Sequence, residues 1–125
     1  MVPAAVLARE MGIRLIDTLA IASYDVKSQG RVQMLKAPEA ATADKGAGWL
    51  LVDDLVDTGA TARAARDLLP DALFVTLYAK PAARDLPDIF IHEVAQDTWV
   101  HFPWDTEDRD GTFAYAPPLA GRETP

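Results

Sequence analysis

The sequence predicts an α/β domain from three features: a strand–helix–strand unit, near-continuous apolar strands, and acidic residues where one strand ends. Apolar runs at Trp49–Val52 and Leu73–Ala79 enclose a helical segment. Such unbroken runs are typical of parallel strands buried on both faces. The 125 residues suit one domain. We assign residues 1–125 to it, with a core of about 1–94 and an irregular C-terminal hood of about 95–125.

The first 48 residues predict a helix, a strand and a long loop, in that order. Pro3 suits the first turn of a helix that Gly12 ends. Apolar residues at 13, 15, 19 and 21 predict a strand over 13–21. Residues 25–48 lack a sustained apolar period, apart from a short hairpin arm at 32–35, and indicate a mobile lid. Because long loops in compact domains are either functional or plain insertions, both interpretations stay open here.

Later elements follow from equally local signals. A helix from about Thr61 to Leu69 is ended by Pro70, because proline cannot continue a helix. Ile89–Val94 is a further short apolar run and predicts a strand. After it, residues 97–125 are rich in aromatic residues and proline, which favours an irregular hood over another strand–helix repeat.

Composition excludes several functional classes. The chain carries 19 acidic and 12 basic residues, a net charge of −7, whereas nucleic-acid-binding proteins usually present a basic surface. It contains no cysteine, which excludes disulfides and thiolate chemistry. No apolar run reaches the roughly 20 residues that span a bilayer, and no signal peptide is recognisable at the start. We therefore expect a cytoplasmic protein that does not bind nucleic acid.

The most informative segment is Val52-Asp53-Asp54-Leu55-Val56-Asp57-Thr58-Gly59-Ala60-Thr61. Ligands of open parallel sheets bind beyond the carboxyl ends of the strands. Two adjacent carboxylates there should point to opposite faces, because neighbouring residues of a strand alternate. The Thr-Gly-Ala-Thr turn before a helix offers consecutive amides to a phosphate group. The alternative is that the acids are turn and N-cap residues, which aspartate often supplies.

The segment resembles the phosphoribosyl pyrophosphate (PRPP) motif of the type I purine phosphoribosyltransferases. Five further segments resemble the bacterial members that act on xanthine and guanine: Leu7–Arg14, Ser23–Asp25, Tyr78–Pro81, Gln96–Trp99 and Pro103–Asp105. The resemblance implies the type I fold, a mostly parallel sheet flanked by helices. It also implies purine salvage: transfer of phosphoribose from PRPP to guanine, xanthine or hypoxanthine, which releases pyrophosphate.

The resemblance assigns roles to individual residues. Asp53 and Asp54 would bind the ribose hydroxyls and Mg²⁺, with Asp54 as the metal candidate, and Asp57 would take the purine N7 proton as the catalytic residue. The cradle for the 5′-phosphate would be formed by Thr58, Gly59, Ala60 and Thr61. The purine site would add Lys80 for the 6-oxo group, Trp99 for stacking and Val100 for backbone contacts. The lid would contribute Tyr24, Asp25 and Arg31.

The alternatives at two of these positions remain open. Lys80 is otherwise a solvated lysine at a strand end, and Trp99 is otherwise a core or interface aromatic. The cofactor implied is Mg²⁺, and the partners implied are PRPP and a 6-oxopurine. A homotetramer and a peripheral association with the inner face of the membrane also follow from the resemblance alone.

The sequence departs from the family pattern at its start. Members carry an Arg-Gly-Gly loop for pyrophosphate, after a helix and a core strand, just before the Val-Pro that is Val2-Pro3 here. The chain is therefore interpreted as N-terminally truncated, and we expect these 125 residues to release little pyrophosphate. Two other interpretations stay open: a non-catalytic regulator that binds PRPP or nucleotide, and an inactive fragment. A smaller departure is Ala60, where members usually have glycine.

Overall fold

A computed structural model describes residues 1–23 and 32–104 and has an α/β architecture. A ribbon of β1 and β2 is antiparallel, and β3, β4 and β5 form a parallel sheet in that order. The elements in chain order are α1 (Val2–Glu10), β1 (Ala20–Ser23), β2 (Val32–Lys36), α2 (Glu39–Ala43), β3 (Leu50–Val56), α3 (Ala60–Leu68), β4 (Leu73–Ala79) and β5 (Ile89–Glu93).

Among the described residues, the parallel sheet and α3 enclose the cluster that contains the largest fully buried side chains. Phe74 and Val56 are the largest fully buried side chains. They pack with Ala62 of α3 and with Ala83, and Leu51 and Leu86 cover this cluster. We call β3, β4, β5 and α3 the closed side.

Arg66 fastens α3 to the closed side. Its guanidinium donates to the carbonyl oxygens of Ala72 (2.8 Å) and Leu86 (3.0 Å) and to Asp88 Oδ2 (2.9 Å). It also lies 5.4 Å from the centre of the Phe74 ring. Asp88 Oδ2 accepts the backbone N–H of Phe74 as well, at 2.7 Å, and the ion pair holds the pKa of Asp88 below its ordinary value. Arg66 thus holds α3, the helix that follows the acidic segment, against β4 and the turn before β5.

The opposite side is open. Leu7, Ile13 and Leu15 line an apolar cavity of about 720 Å³ between α1, residues 13–19 and the free edge of β3. Leu15 is 64% exposed and Ile16 is 53% exposed, although both are apolar. Among the described residues, no strand pairs with this edge of β3. We call α1 and residues 13–19 the open side.

Several predicted elements are confirmed, and one is wrong for most of its length. The N-terminal helix, the helix after the acids, and the strands β4 and β5 lie where the sequence predicted them. The strand predicted over 13–21 is wrong for most of its length, since strand structure begins at Ala20 and pairs with β2 instead of the main sheet. An apolar alternation alone does not make a strand when no neighbouring backbone is present to pair with it.

The described part of the expected lid, residues 32–48, contains a strand and a short helix. The hairpin arm is confirmed as β2, and a short helix that was not predicted, α2, buries Ala41 against Leu69 and Ala72. The rest of the expected lid, residues 24–31, lies outside the described residues, as do residues 105–125 of the hood. In the part of the chain that is described, no helix is long and apolar enough to cross a membrane.

Candidate active site

The acid pair lies inside β3, which corrects the expectation that the strand ends at Val52. The ladder with β4 continues through the acids, with Asp53 opposite Thr76, Leu55 opposite Tyr78 and Val56 opposite Ala79. The extended backbone separates the two carboxylates. Asp53 lines the apolar cavity and the turn before α3, whereas Asp54 Oδ2 accepts a hydrogen bond from Trp104 Nε1 at 3.2 Å.

Asp53 is an unusual carboxyl because of where it lies. Burial raises its pKa to about 6, and the neighbouring negative charge of Asp54 acts in the same direction. The backbone N–H of Asp54, which donates to Asp53 Oδ1 at 3.0 Å, opposes the shift without cancelling it. A half-buried carboxyl with a raised pKa is typical of functional sites and suits one that binds hydroxyl groups or a cation.

The turn between β3 and α3 forms a small concave cradle. Asp53 and residues 55–62 surround a cavity of about 150 Å³ at the N-terminus of α3. Helix N-termini present unpaired N–H groups and a partial positive charge, which favour a phosphate. Arg63 lies one turn into the helix and donates to the carbonyl oxygen of Thr58 at 3.1 Å, so a cation braces the turn.

Gly59 is required by this turn for two reasons. Its φ is +87°, in the left-handed region that favours glycine. A Cβ atom there would lie 2.6 Å from Leu86 Cδ1 and 2.8 Å from Ala83 Cβ. The cradle therefore packs directly against the turn that follows Lys80, and its shape depends on that packing.

Lys80 and Asp57 form an ion pair across the ends of two strands. Lys80 Nζ lies 2.9 Å from Asp57 Oδ2, and the lysine is 4% exposed, so the interpretation as a solvated lysine is excluded. Its backbone N–H donates to the carbonyl oxygen of Val56 at 2.9 Å, which joins the two strand ends. Because a buried lysine side chain needs a polar partner, the contact with Asp57 accounts for the position of Lys80 inside the fold.

The second oxygen of Asp57 is held by a residue that the sequence analysis gave no role. Gln96 Nε2 donates to Asp57 Oδ1 at 2.9 Å, and Gln96 Oε1 accepts the N–H of Ala82 at 3.0 Å. The glutamine lies 39 positions from Asp57 and comes from the hood. No local sequence signal connects the two residues, so only the fold brings them together.

The described part of the hood, residues 95–104, contributes an aromatic stack. Trp104 lies on Phe102 with ring centres 4.9 Å apart and planes 11° apart, and Phe102 contacts Tyr78 of β4 at 5.8 Å. Trp99 is 73% exposed and meets His101 edge-on at 6.3 Å. It is therefore not a core aromatic in this chain, and its indole face is accessible.

The structure brings most of the candidate residues to one end of the sheet. Asp53 and the turn residues Thr58, Gly59, Ala60 and Thr61 surround the cradle, and Asp57 and Lys80 form the ion pair beside it. Asp54 faces the hood, where Val100 is half-buried. The lid candidates Tyr24, Asp25 and Arg31 lie outside the described residues. Arg63, Gln96 and the Trp104–Asp54 bond are the features that sequence reasoning missed.

The described carboxylates of the site are spread out and do not form a cluster. Among residues 1–23 and 32–104, no three or more His, Cys, Asp or Glu side chains converge to hold a metal. Mg²⁺ keeps several waters and commonly takes one or two carboxylates together with substrate phosphates. Separate carboxylates beside a phosphate cradle suit that mode of binding better than a cage made by the protein alone.

The chain matches the model of the phosphoribosyl transferase domain over residues 1–110. It is 53% identical over 124 residues to xanthine-guanine phosphoribosyltransferase of Desulfotalea psychrophila, covering 98% of this chain and 72% of that protein. It is 56% identical over 105 residues to the protein of the same name from Chromohalobacter salexigens, covering 84% of this chain and 62% of that protein. The chain thus spans about two thirds of the length of these relatives.

Two solved structures have a similar fold. Xanthine-guanine-hypoxanthine phosphoribosyltransferase of Helicobacter pylori superposes with a TM-score of 0.59 at 25% identity, covering 75% of this chain and 64% of that one. A hypothetical protein from Neisseria gonorrhoeae with bound ppGpp superposes with a TM-score of 0.62 at 25% identity. That match covers 87% of this chain and 70% of that one.

Proposed function

Because the chain belongs to the phosphoribosyl transferase domain family, we propose that it transfers phosphoribose from PRPP to a 6-oxopurine in purine salvage. Both curated relatives are named for xanthine and guanine, and the Helicobacter neighbour also for hypoxanthine. The products would be GMP, XMP or IMP together with pyrophosphate. The observation that carries the proposal is the ion pair between Lys80 Nζ and Asp57 Oδ2, which are 2.9 Å apart. The pair joins the ends of two strands beside the cradle that we assign to a phosphate.

The cradle would bind the sugar end of PRPP. The 5′-phosphate would accept N–H groups from Thr58, Gly59, Ala60 and Thr61 at the start of α3. Asp53, which lines the same cavity, would bind the ribose hydroxyls. We keep Asp54 as the candidate ligand of Mg²⁺, through the oxygen that Trp104 does not contact. When bound, Mg²⁺ would offset the negative charge of the pyrophosphate.

The ion pair would recognise one edge of the purine. The 6-oxo oxygen and N7 are neighbours on that edge, and Lys80 and Asp57 are neighbours in the site. Lys80 would donate to the 6-oxo oxygen, which selects against adenine, whose 6-amino group cannot accept that bond. Trp99 would stack on the base with its exposed indole, and Val100 would contact the 2-substituent through its backbone.

Asp57 would handle the proton of the reaction. The purine N9 forms a bond to C1 of the ribose while the bond from C1 to the pyrophosphate oxygen breaks, and pyrophosphate leaves with that electron pair. The surplus proton of the purine passes from N7 to the Asp57 carboxylate. The same carboxylate would stabilise positive charge that develops on the ribose, as electrostatic catalysis requires.

The function is tested by incubating the chain with PRPP, Mg²⁺ and guanine, xanthine or hypoxanthine in turn, and by measuring GMP, XMP or IMP together with pyrophosphate. A version extended at its N-terminus is assayed in parallel, because we expect weak pyrophosphate release from residues 1–125 alone. GMP formation that fails in Asp57→Ala and Lys80→Ala supports the proposal. If neither version makes GMP, XMP or IMP, the transfer function is wrong.

A second candidate is nucleotide binding without turnover, favoured by the similar fold of the Neisseria protein with bound ppGpp. Calorimetry with GMP and ppGpp distinguishes the two, since a regulator would bind a nucleotide and form no product. Homotetramer formation is a further prediction, checked by light scattering. Cytoplasmic location and peripheral membrane association are checked by cell fractionation.

A further inference from the structure

We propose that Gln96 is a positioning residue that holds the Asp57 carboxylate in the orientation it needs toward the purine. The inference rests on the proposed function and goes beyond it, because Gln96 belongs to the hood and to none of the roles assigned above. The evidence is that the side-chain amide of Gln96 makes two hydrogen bonds at the purine end of the site, one with Asp57 and one with the N–H of Ala82.

The geometry leaves the Asp57 carboxylate little freedom. Oδ2 is held by Lys80 Nζ at 2.9 Å, and Oδ1 is held by Gln96 Nε2, also at 2.9 Å. Because each oxygen has its own donor, rotation of the carboxylate about its Cβ–Cγ bond breaks both hydrogen bonds. Asp57 is 45% exposed, so without a second donor the oxygen on the hood side would exchange between water molecules.

The amide of Gln96 is itself fixed from its other end. Gln96 Oε1 accepts the N–H of Ala82, in the turn that follows Lys80, at 3.0 Å. The oxygen must therefore face that turn, so the NH₂ group must face Asp57. Because the amide oxygen accepts one hydrogen bond and the NH₂ group donates the other, the Gln96 side chain has one orientation. It therefore fixes the Asp57 carboxylate relative to the turn that contains Ala82.

The need for this donor arises when a base binds. Lys80 has to share its ammonium with the 6-oxo oxygen, so its hold on Asp57 weakens at the moment the carboxylate must meet N7. Gln96 is neutral and does not compete for the base at that edge. It keeps Asp57 aimed at N7, and it leaves the carboxylate able to accept a proton.

The competing explanation is that Gln96 only tethers the hood to the turn at Ala82, and two variants separate these roles. Gln96→Ala removes both hydrogen bonds. Gln96→Glu keeps an oxygen that can accept the Ala82 N–H, but it removes the donor to Asp57 and places a like charge beside it. A tether role predicts that Gln96→Glu resembles the wild type, whereas the positioning role predicts that it is the worse variant.

The experiment measures kcat and KM for guanine and for PRPP in the version of the chain that turns over. For Gln96→Ala we expect kcat with guanine to fall about tenfold, the lower end of the range for a lost hydrogen bond to a charged group. For Gln96→Glu we expect a fall of about tenfold or more on the same grounds. The KM for PRPP should stay near wild type in both.

Thr98→Ala is the matched control, because Thr98 lies two residues further along the same segment and donates its backbone N–H to Ala95 at 3.0 Å. It should keep wild-type kcat. Wild-type kcat in Gln96→Glu overturns the inference, and so does an equal loss in Thr98→Ala.

Crystal structures of the wild type and Gln96→Glu test the inference without turnover. We expect the Asp57 carboxylate to rotate away from residue 96 and to lose its two-point contact. An Asp57 position that is unchanged in the variant overturns the inference even if no phosphoribosyl transfer is detected. Conversely, a rotated carboxylate in a chain that makes no nucleotide contradicts the proposed function and not the positioning role.

Discussion

The two edges of β3 have opposite surroundings. On the closed side, β4 pairs along the whole strand, and Phe74 and Val56 are buried beneath α3. On the open side, the same strand borders an apolar cavity of about 720 Å³ beside Leu15 and other apolar residues that solvent reaches. The candidate site is built almost wholly from the closed side. The difference teaches that most contacts of the site come from the closed side and the hood, whereas Asp53 and Thr61 also line the cavity of the open side.

The largest expected effect tests whether stability is concentrated on the closed side. Phe74→Ala removes a ring that is 1% exposed and should lower the free energy of unfolding by about 3–5 kcal/mol. Leu15→Ala, on the open side, should change it by less than about 0.5 kcal/mol, because Leu15 is 64% exposed. Urea denaturation measures both. Similar losses in the two variants would show that the open side is packed in solution.

The next effect concerns chemistry instead of stability. Lys80→Met removes the cation that pairs with Asp57 and should lower kcat/KM for guanine about 100- to 1,000-fold, the range for loss of a donor that stabilises charge in the transition state. Arg9→Ala removes an exposed cation of α1 on the open side and is the matched control. It should leave kcat/KM unchanged. Steady-state pyrophosphate release measures both variants, and a comparable loss in Arg9→Ala would contradict the division between the two sides.

A smaller effect lies at the boundary, because Asp53 lines both the apolar cavity and the cradle. Its pKa of about 6 lies above the ordinary 3.8, so the folded chain binds this proton more tightly than the unfolded chain does. Stability should therefore fall as pH rises from about 4 to about 6, by at most about 3 kcal/mol from this group. Asp53→Asn should be more stable than wild type at pH 7 and lose that advantage at pH 4.

The measurement for Asp53 is the urea midpoint as a function of pH, with EDTA present so that no cation binds the carboxylates. Asp88→Asn serves as the contrasting variant, because the ion pair with Arg66 lowers the pKa of Asp88. It should be less stable than wild type at neutral pH. If Asp53→Asn is no more stable than the wild type at pH 7, burial does not destabilise the ionised carboxylate of Asp53, and the prediction is wrong.

What the sequence could predict follows the same division. On the closed side, β4, β5 and α3 have signals that lie within each element, and they were predicted. The extension of β3 through Asp53 and Asp54 was not, because it depends on pairing with β4 and not on the residues themselves. Burial of Lys80 and the bond from Gln96 to Asp57 also arise from contacts between distant segments. On the open side, the alternation at 13–21 predicted a strand for which the structure provides no partner along most of its length.

The smallest expected effect asks whether the hood belongs energetically to the closed side. Trp104→Phe keeps an aromatic ring to stack on Phe102 but removes the Nε1 donor that lies 3.2 Å from Asp54 Oδ2. Because the bond is long and made to a charged group, its loss should lower the free energy of unfolding by about 0.5–1.5 kcal/mol. Trp99→Phe also removes an indole, one that is 73% exposed, and should change stability by less than about 0.5 kcal/mol. A larger loss in Trp104→Phe than in Trp99→Phe, measured by urea denaturation, would show that the bond from Trp104 to Asp54 stabilises the contact between the hood and β3. Equal midpoints would mean that the hood stacks on the sheet without stabilising the acid, and that Asp54 is held by β3 alone.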